Sequence, residues 1–272
     1  MAYSCKELSQ VYDSIYSRKL QKTVLNEIDG EIVGRAVASL RASGIISNRE
    51  LKLFESAIRK YLPIGIIQAD RGLFVDFGCG FGILGRRLSK SAGLRYAGFD
   101  CSKVAIRYAA TAARNDKDSQ SLFWVSDFIS TGLSEKSVGV AFSLDALYLA
   151  SNPSLVVNEL ARVLKDRSIL FFTLYENCSN RGAQYTSLGT WQTLLIGNGF
   201  QIIECEDITD EWRKHMAKKH QTRLKVRKKI EASMNQAGTL ELAVSRAMLG
   251  AHGHDGFINL TKRYYIVALR SR

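Results

Sequence analysis

No apolar run in this 272-residue sequence approaches the roughly 20 residues that a bilayer-spanning helix needs. The opening stretch "MAYSCKELSQVYDSIYSRKL" is polar and has no apolar h-region, which predicts no signal peptide. The cysteines (Cys5, Cys79, Cys101, Cys178 and Cys205) are odd in number and far apart. None form a C-x-x-C pair, which argues against a disulfide frame or a zinc ribbon. His252 and His254 find no third ligand at a recognisable spacing, so no metal is expected. There is no internal repeat and no low-complexity tract. These absences together predict a cytoplasmic protein with reduced thiols and no membrane partner.

What is present is ordinary in bulk and uneven in charge. Apolar residues make up 46 % and charged residues 24 %, and the length can bury one core, or one core with a small cap. The net charge of +12 suggests a nucleic-acid partner. Its distribution weakens that reading. Residues 211–229, "EWRKHMAKKHQTRLKVRKK", hold nine Lys/Arg and one Glu, while the remainder carries 29 basic and 25 acidic residues. One segment makes most of the imbalance.

The apolar rhythm divides the chain. "LSQVYDSIYSRKL" sets Leu8, Val11, Tyr12, Ile15 and Tyr16 at helical spacing. "EIVGRAVASLRA" and "ELKLFESAIRKYL" continue it until Pro63. From residue 72, short strands and helices alternate. "LFVDF", "RYAGFD", "SLFWVSD", "VGVAFSLDAL", "SILFFTLYE" and "FQIIECEDI" read as six strands, and "KRYYIVALR" as a seventh. Residues 210–258 have helical character, and so long an excursion is usually a lid. The expected fold is α/β: a doubly wound, mostly parallel seven-stranded sheet with an antiparallel last strand. Residues 1–65 form an N-terminal helical cap, 66–209 with 259–272 the core, and 210–258 a helical lid between strands six and seven.

In such a sheet, ligands bind beyond the carboxyl ends of the strands. The turn after the first strand lies there, and "VDFGCGFGILG" crowds four glycines into it. Two frames compete. Gly80-x-Gly82-x-x-Gly85, with Asp100 some twenty residues on, fits a dinucleotide loop. One glycine earlier, Asp76-x-Gly78-x-Gly80-x-Gly82 puts an acid at the strand end, and acids also follow the second and third strands (Asp100 and Asp127).

That second pattern resembles the class I S-adenosylmethionine-dependent methyltransferases, small-molecule type. "VDFGCGFG" is similar to their first motif, "AGFD" followed by Cys101-Ser102 to the second, and "WVSDF" to the third. "FSLDALYLA" resembles the fourth, over a likeness spanning roughly residues 72–207. The family often has Pro-Gly-Gly before strand five, where this chain has Asp166-Arg167-Ser168. The resemblance implies S-adenosylmethionine as cofactor. It assigns Gly78, Cys79, Gly80 and Gly82 to the methionyl part, with Asp76 positioning the turn and the ammonium. Asp100, with Cys101 and Ser102, would take the ribose hydroxyls. Asp127, with the Phe128 amide, would take the adenine amino group, and Leu144 would line the site. The plainer alternative is that Asp100 and Asp127 only cap the next helices.

On the acceptor side, "SLDALYLA" is not the Asn/Asp-Pro-Pro-Tyr of nucleobase amine methyltransferases. It places Asp145 and Tyr148 near the methyl, though Tyr148 could equally be a core residue. Tyr12 and Tyr16 could close over the sulfonium, a cation–π contact worth about 1–2 kcal/mol, or form a core stripe. Tyr175, Trp212 and His254 are the remaining candidates for substrate contact. The expected function is methylation of N or O in a small, natural-product-like metabolite. The basic lid favours an anionic one, and the chain would act as a monomer or homodimer. Three alternatives stand beside it: an enzyme that cyclises or cleaves S-adenosylmethionine itself, an RNA methyltransferase, and a nicotinamide oxidoreductase.

Overall fold

The structure, a computed structural model, describes residues 5–20, 46–62, 72–177, 187–250 and 256–271. Helices α1 (Cys5–Leu20) and α2 (Asn48–Tyr61) precede the sheet. Then come β1 (Leu73–Phe77), α3 (Ile83–Ser91), β2 (Arg95–Asp100), α4 (Lys103–Asn115), β3 (Leu122–Val125) and β4 (Val138–Ser143). A short 3₁₀ turn (Leu147–Leu149) leads to α5 (Pro153–Val163), β5 (Leu164–Asn177), α6 (Leu188–Gly197) and β6 (Phe200–Asp207). Helices α7 (Thr209–Lys225) and α8 (Arg227–Leu249) follow, and β7 (Thr261–Arg270) closes the chain. The predicted helix "EIVGRAVASLRA" lies outside the described residues.

The seven strands form one sheet in the order β3-β2-β1-β4-β5-β7-β6. All neighbours are parallel except β7, which runs against both β5 and β6. The strand order reverses between β1 and β4, so their carboxyl ends flank the crevice of the sheet. Every residue of β4 is buried, as helices on both faces require of a central parallel strand. Phe77, Phe99, Leu170, Phe172 and Trp191 fill one face; Phe54, Phe74, Phe142, Phe171 and Tyr265 fill the other. Phe54 of α2 meets Phe142, Phe171 and Tyr265 with ring centroids 5.1, 5.9 and 5.4 Å away. Helix α2 is therefore part of the sheet's own core. Among the described residues ahead of the sheet, α1 reaches the end of β2.

Local chemistry sets the helix starts. Ser102, Asn152 and Ser187 each accept an amide of the first turn of α4, α5 and α6, and Pro153 stands where no amide is needed. Ser47 and Glu50 make a reciprocal capping box on α2. Two strands differ from expectation. β3 keeps only four residues. β5 begins directly after α5, at Leu164. Arg167 takes a left-handed φ of 62° within it, and the ladder to β4 shifts register between Val138 and Val140. The turn expected at Asp166-Arg167-Ser168 is thus absorbed as an irregularity of the strand.

Candidate functional site

The glycine turn is shaped by what presses on it. Gly78, Gly80 and Gly82 all have positive φ (77°, 54° and 68°), which side chains rarely adopt. A Cβ on Gly80 would lie 2.6 Å from the Tyr16 hydroxyl, and one on Gly82 2.7 Å from the Phe123 ring. A Cβ on Gly78 would overlap the Ala146 methyl. The turn is pinned from behind, where the Gly78 and Cys79 amides donate to the Phe99 carbonyl at 3.0 and 2.9 Å.

Asp100, buried at the end of β2, faces the turn. Its Oδ2 accepts the Gly80 amide at 2.8 Å, and its Oδ1 the Ser102 amide at 2.9 Å. Each oxygen has a second lone pair. Capping of α4 falls to Ser102, whose Oγ accepts from Ala105 at 3.1 Å, so the plainer account of Asp100 does not hold in that form. Asp76 lies beneath the turn at the end of β1, with the Tyr96 hydroxyl donating to its Oδ2 at 3.0 Å. Burial pushes its carboxyl up to about 8; the Tyr96 bond opposes this and the Asp100 charge adds to it. Burial, then Asp76 and Asp100, also pushes the Cys79 thiol well up. Asp127 follows β3, and its Oδ1 accepts the amides of Ile129 and Ser130 at 3.0 and 2.8 Å. It closes its own turn rather than capping a helix. The Phe128 ring lies against Gly78, and Leu144 is half-buried beside the core.

Helix α1 lies over this turn. The Ser9 hydroxyl donates to the Cys101 carbonyl at 2.8 Å. The Asp13 Oδ1 accepts the Ser102 hydroxyl at 2.5 Å and the Val104 amide at 3.1 Å, capping α4 from another element. The Tyr16 ring packs on Phe81 at 4.9 Å, with Tyr12 6.1 Å away. Tyr16 is half-buried, and its hydroxyl end lies against Gly80. Burial there, then the Asp100 charge, pushes that hydroxyl well above the usual tyrosine range.

A second cluster adjoins the turn through Ala146. Asp145 follows β4 with a left-handed φ of 55°, a conformation in which aspartate is among the better-tolerated side chains. The Thr173 hydroxyl contacts its Oδ1 at 3.1 Å. The buried Arg263 of β7 donates through Nη1 to that same Oδ1. Its Nε donates to Glu50 Oε1 at 2.7 Å, and Glu50 Oε2 takes the Ser47 amide at 2.7 Å. Burial pushes the Glu50 carboxyl up, with Arg263 pulling against it. The guanidinium lies 4.5 Å from the Tyr175 ring centroid and 5.9 Å from that of Trp212. Tyr175 in turn meets Tyr148 at 4.8 Å and Trp212 at 5.1 Å. Asp145, Tyr148, Tyr175 and Trp212, expected separately from the sequence, are thus one assembly. His254 lies outside the described residues.

Residues 75–172 match the model of the methyltransferase domain family. This segment is a methyltransferase domain. The methyltransferase fold also appears among solved structures. SpnF, described as a [4+2]-cyclase, is 18 % identical with a TM-score of 0.73, covering 100 % of this chain and 97 % of its own. Geranyl diphosphate C-methyltransferase from Streptomyces coelicolor A3(2) is 14 % identical with a TM-score of 0.60, covering 85 % and 84 %. Phosphoethanolamine N-methyltransferase 2 from Haemonchus contortus, crystallised with S-adenosyl-L-methionine, is 16 % identical with a TM-score of 0.68, covering 84 % and 55 %. No curated protein matches the sequence. The cofactor that such a domain implies is S-adenosylmethionine. The glycine cradle and the two-oxygen face of Asp100 fit it. Among the described residues no helix is long and apolar enough to cross a membrane, and no cluster of His, Cys, Asp and Glu could hold a metal.

Sequence reasoning missed Asp13, Glu50, Tyr96 and Arg263. Two left a signal. Glu50 is the fourth residue of the capping pattern Ser47-Asn48-Arg49-Glu50. Arg263 is a charge in the same phase of its strand as the buried Tyr265 and Val267, opposite to the exposed Lys262.

Proposed function

We propose that this enzyme methylates N or O of a small metabolite of natural-product type. S-adenosylmethionine supplies an electrophilic methyl group on a sulfonium. The carrying observation is that the turn and the Asp145–Tyr148–Tyr175–Trp212 assembly adjoin at the strand ends. The enzyme's task is to bring the two reactants into line and exclude water.

In this reading Gly78, Cys79, Gly80 and Gly82 hold the methionyl part through the backbone, with Asp76 near the ammonium. Asp100, Cys101 and Ser102 take the ribose; Asp127, Phe128 and Leu144 take the adenine. Tyr12 and Tyr16 close the site from α1, as a cap. Asp145 and Tyr148 face the methyl, and Tyr175, Trp212 and His254 meet the acceptor beneath a lid of residues 210–258. The basic lid supports an anionic acceptor only at the stage of approach. Lys214, Lys218, Lys225, Arg227, Lys228 and Lys229 are exposed, whereas Lys219 and Arg223 are buried. An overall charge can steer a ligand without touching the atom that reacts.

A second reading has one supporting observation: a solved structure that spans nearly all of both chains is described as a cyclase. Under it the fold would serve a reaction other than methyl transfer. One experiment separates the readings. The enzyme is incubated with methyl-labelled S-adenosylmethionine alone, with a low-molecular-weight metabolite fraction, and with total RNA. Label in a small product together with S-adenosylhomocysteine supports methyl transfer. A metabolite converted without gaining label supports the second reading and overturns methyl transfer, as would methylthioadenosine from the cofactor alone or label entering RNA but no small molecule.

A further inference from the structure

The Asp145 side chain is only 6 % exposed, yet only one of its oxygens is used. Oδ1 takes Arg263 and Thr173. Oδ2 is fully enclosed and has no hydrogen-bond partner among the described residues. A buried carboxylate oxygen left unmatched costs about 1–3 kcal/mol or more, so an oxygen kept in that condition at a ligand crevice points to a donor on the ligand. The left-handed backbone that aims it is a second cost borne at the same residue.

The charge around it narrows the donor. Arg263 faces two carboxylates, Glu50 and Asp145. With both ionised, the buried set carries one negative charge in excess. Among the described residues, no lysine or arginine other than Arg263 is paired with Glu50 or Asp145. The neighbouring wall is aromatic: Tyr148 and Tyr175, in edge contact at 4.8 Å, offer ring faces or edges rather than charges. A carboxylate with one negative charge in excess beside aromatic rings is a recognition site for an ammonium.

We propose that the acceptor is an amine, anchored by an N–H to Asp145 Oδ2. Arg263 and Glu50 are positioning residues that hold Asp145 in this orientation and set its surrounding charge. The same oxygen takes the proton the amine must shed. The ammonium N–H bond breaks, its electron pair stays on nitrogen as the lone pair, and the carboxylate becomes the acid, later releasing the proton to water. The neutral nitrogen is then the nucleophile. This deepens the methyl-transfer reading and rests on it. It narrows N or O to N, and it makes the atom methylated belong to the cationic end of whatever molecule the basic lid attracts.

The test uses the full chain and benzylamine, with benzyl alcohol and benzoate as matched probes. Binding is read as a melting-temperature shift on protein saturated with S-adenosylhomocysteine. Benzylamine is expected to raise the melting temperature, and the alcohol and carboxylate to leave it unchanged. Asp145→Asn should weaken benzylamine binding at least about tenfold, the loss of a charge-assisted bond. Glu50→Gln, which keeps the polar shape and removes the excess charge, should weaken it by several-fold. Both variants should keep wild-type affinity for S-adenosylhomocysteine, which also shows that they fold. Equal shifts with alcohol or benzoate, no shift with benzylamine, or full benzylamine binding by Asp145→Asn would each overturn the proposal. Failure of the wild-type chain to bind S-adenosylhomocysteine would overturn the methyl-transfer reading instead, so the two failures are distinct.

Discussion

Asp76 does two jobs whose demands conflict. It ends β1 under the glycine turn, and burial holds its carboxyl at about 8, far above the usual value near 4. Between those two values the folded chain keeps a proton that the unfolded chain has lost. The group therefore costs stability that grows as pH rises across that window, by up to about 1.4 kcal/mol per pH unit. Asp76→Asn removes the titration while leaving Tyr96 a partner. The variant's melting temperature relative to wild type should climb from about pH 5 to about pH 8. A difference flat with pH would show that Asp76 is ionised in the fold. Gly80 makes a second residue-scale case. Ala at its φ of 54° costs roughly 1–2 kcal/mol from the backbone alone. Its methyl would in addition press on the Tyr16 hydroxyl, 2.6 Å away. Gly80→Ala should thus cost less in a Tyr16→Phe background, with a coupling of about 0.5 kcal/mol or more by chemical denaturation. Additive effects would mean that Tyr16 does not bear on the turn.

At the scale of elements, the question is what holds α1 over the site. Its polar contacts come from Ser9 and Asp13, and its packing from Tyr16 on Phe81. Asp13 is the more telling, because it supplies a carboxylate to the amide end of a helix it does not belong to, where negative charge is favoured. Asp13→Ala should cost about 1 kcal/mol, as loss of a cap does. It should also make α1 the first site cut in limited proteolysis, with S-adenosylhomocysteine protecting it. Removing residues 1–20 should weaken cofactor binding, read by calorimetry; an unchanged affinity would end the closing role of α1. The elements themselves were legible in the chain. The change from helical to alternating rhythm at residue 72 gave the strands, and the acids after three successive strands fixed the frame of the glycine turn. The contact of Asp13 with Ser102 and Val104 was not legible. It is made between residues some ninety positions apart, and nothing local distinguishes Asp13 from a solvated acid on a helix. The early start of β5 was missed for a related reason. A left-handed Arg167 is decided by pairing with β4 and not by the residue's own preference.

For the molecule as a whole, Arg263 joins pieces that the chain keeps far apart. Glu50 is 213 positions away and Asp145 118 positions away, on a helix ahead of the sheet and a loop at its middle. A buried ion set of this kind gives little net stability, because desolvating three charges offsets most of their attraction. Breaking it is another matter, since the remaining charges stay buried without compensation. Arg263→Met should therefore destabilise the fold by about 3–5 kcal/mol, measured by urea unfolding. Adding Glu50→Met should recover part of that loss, because the double variant buries one charge fewer and fills the space with apolar atoms. If the double variant were as unstable as the sum of its parts, Arg263 would be holding its place by packing on Tyr175 and Trp212 alone. A recovery would instead mean that the set is maintained at a cost in stability. The use we propose for it is the one argued above, an enclosed Asp145 oxygen kept without a partner beside the glycine turn.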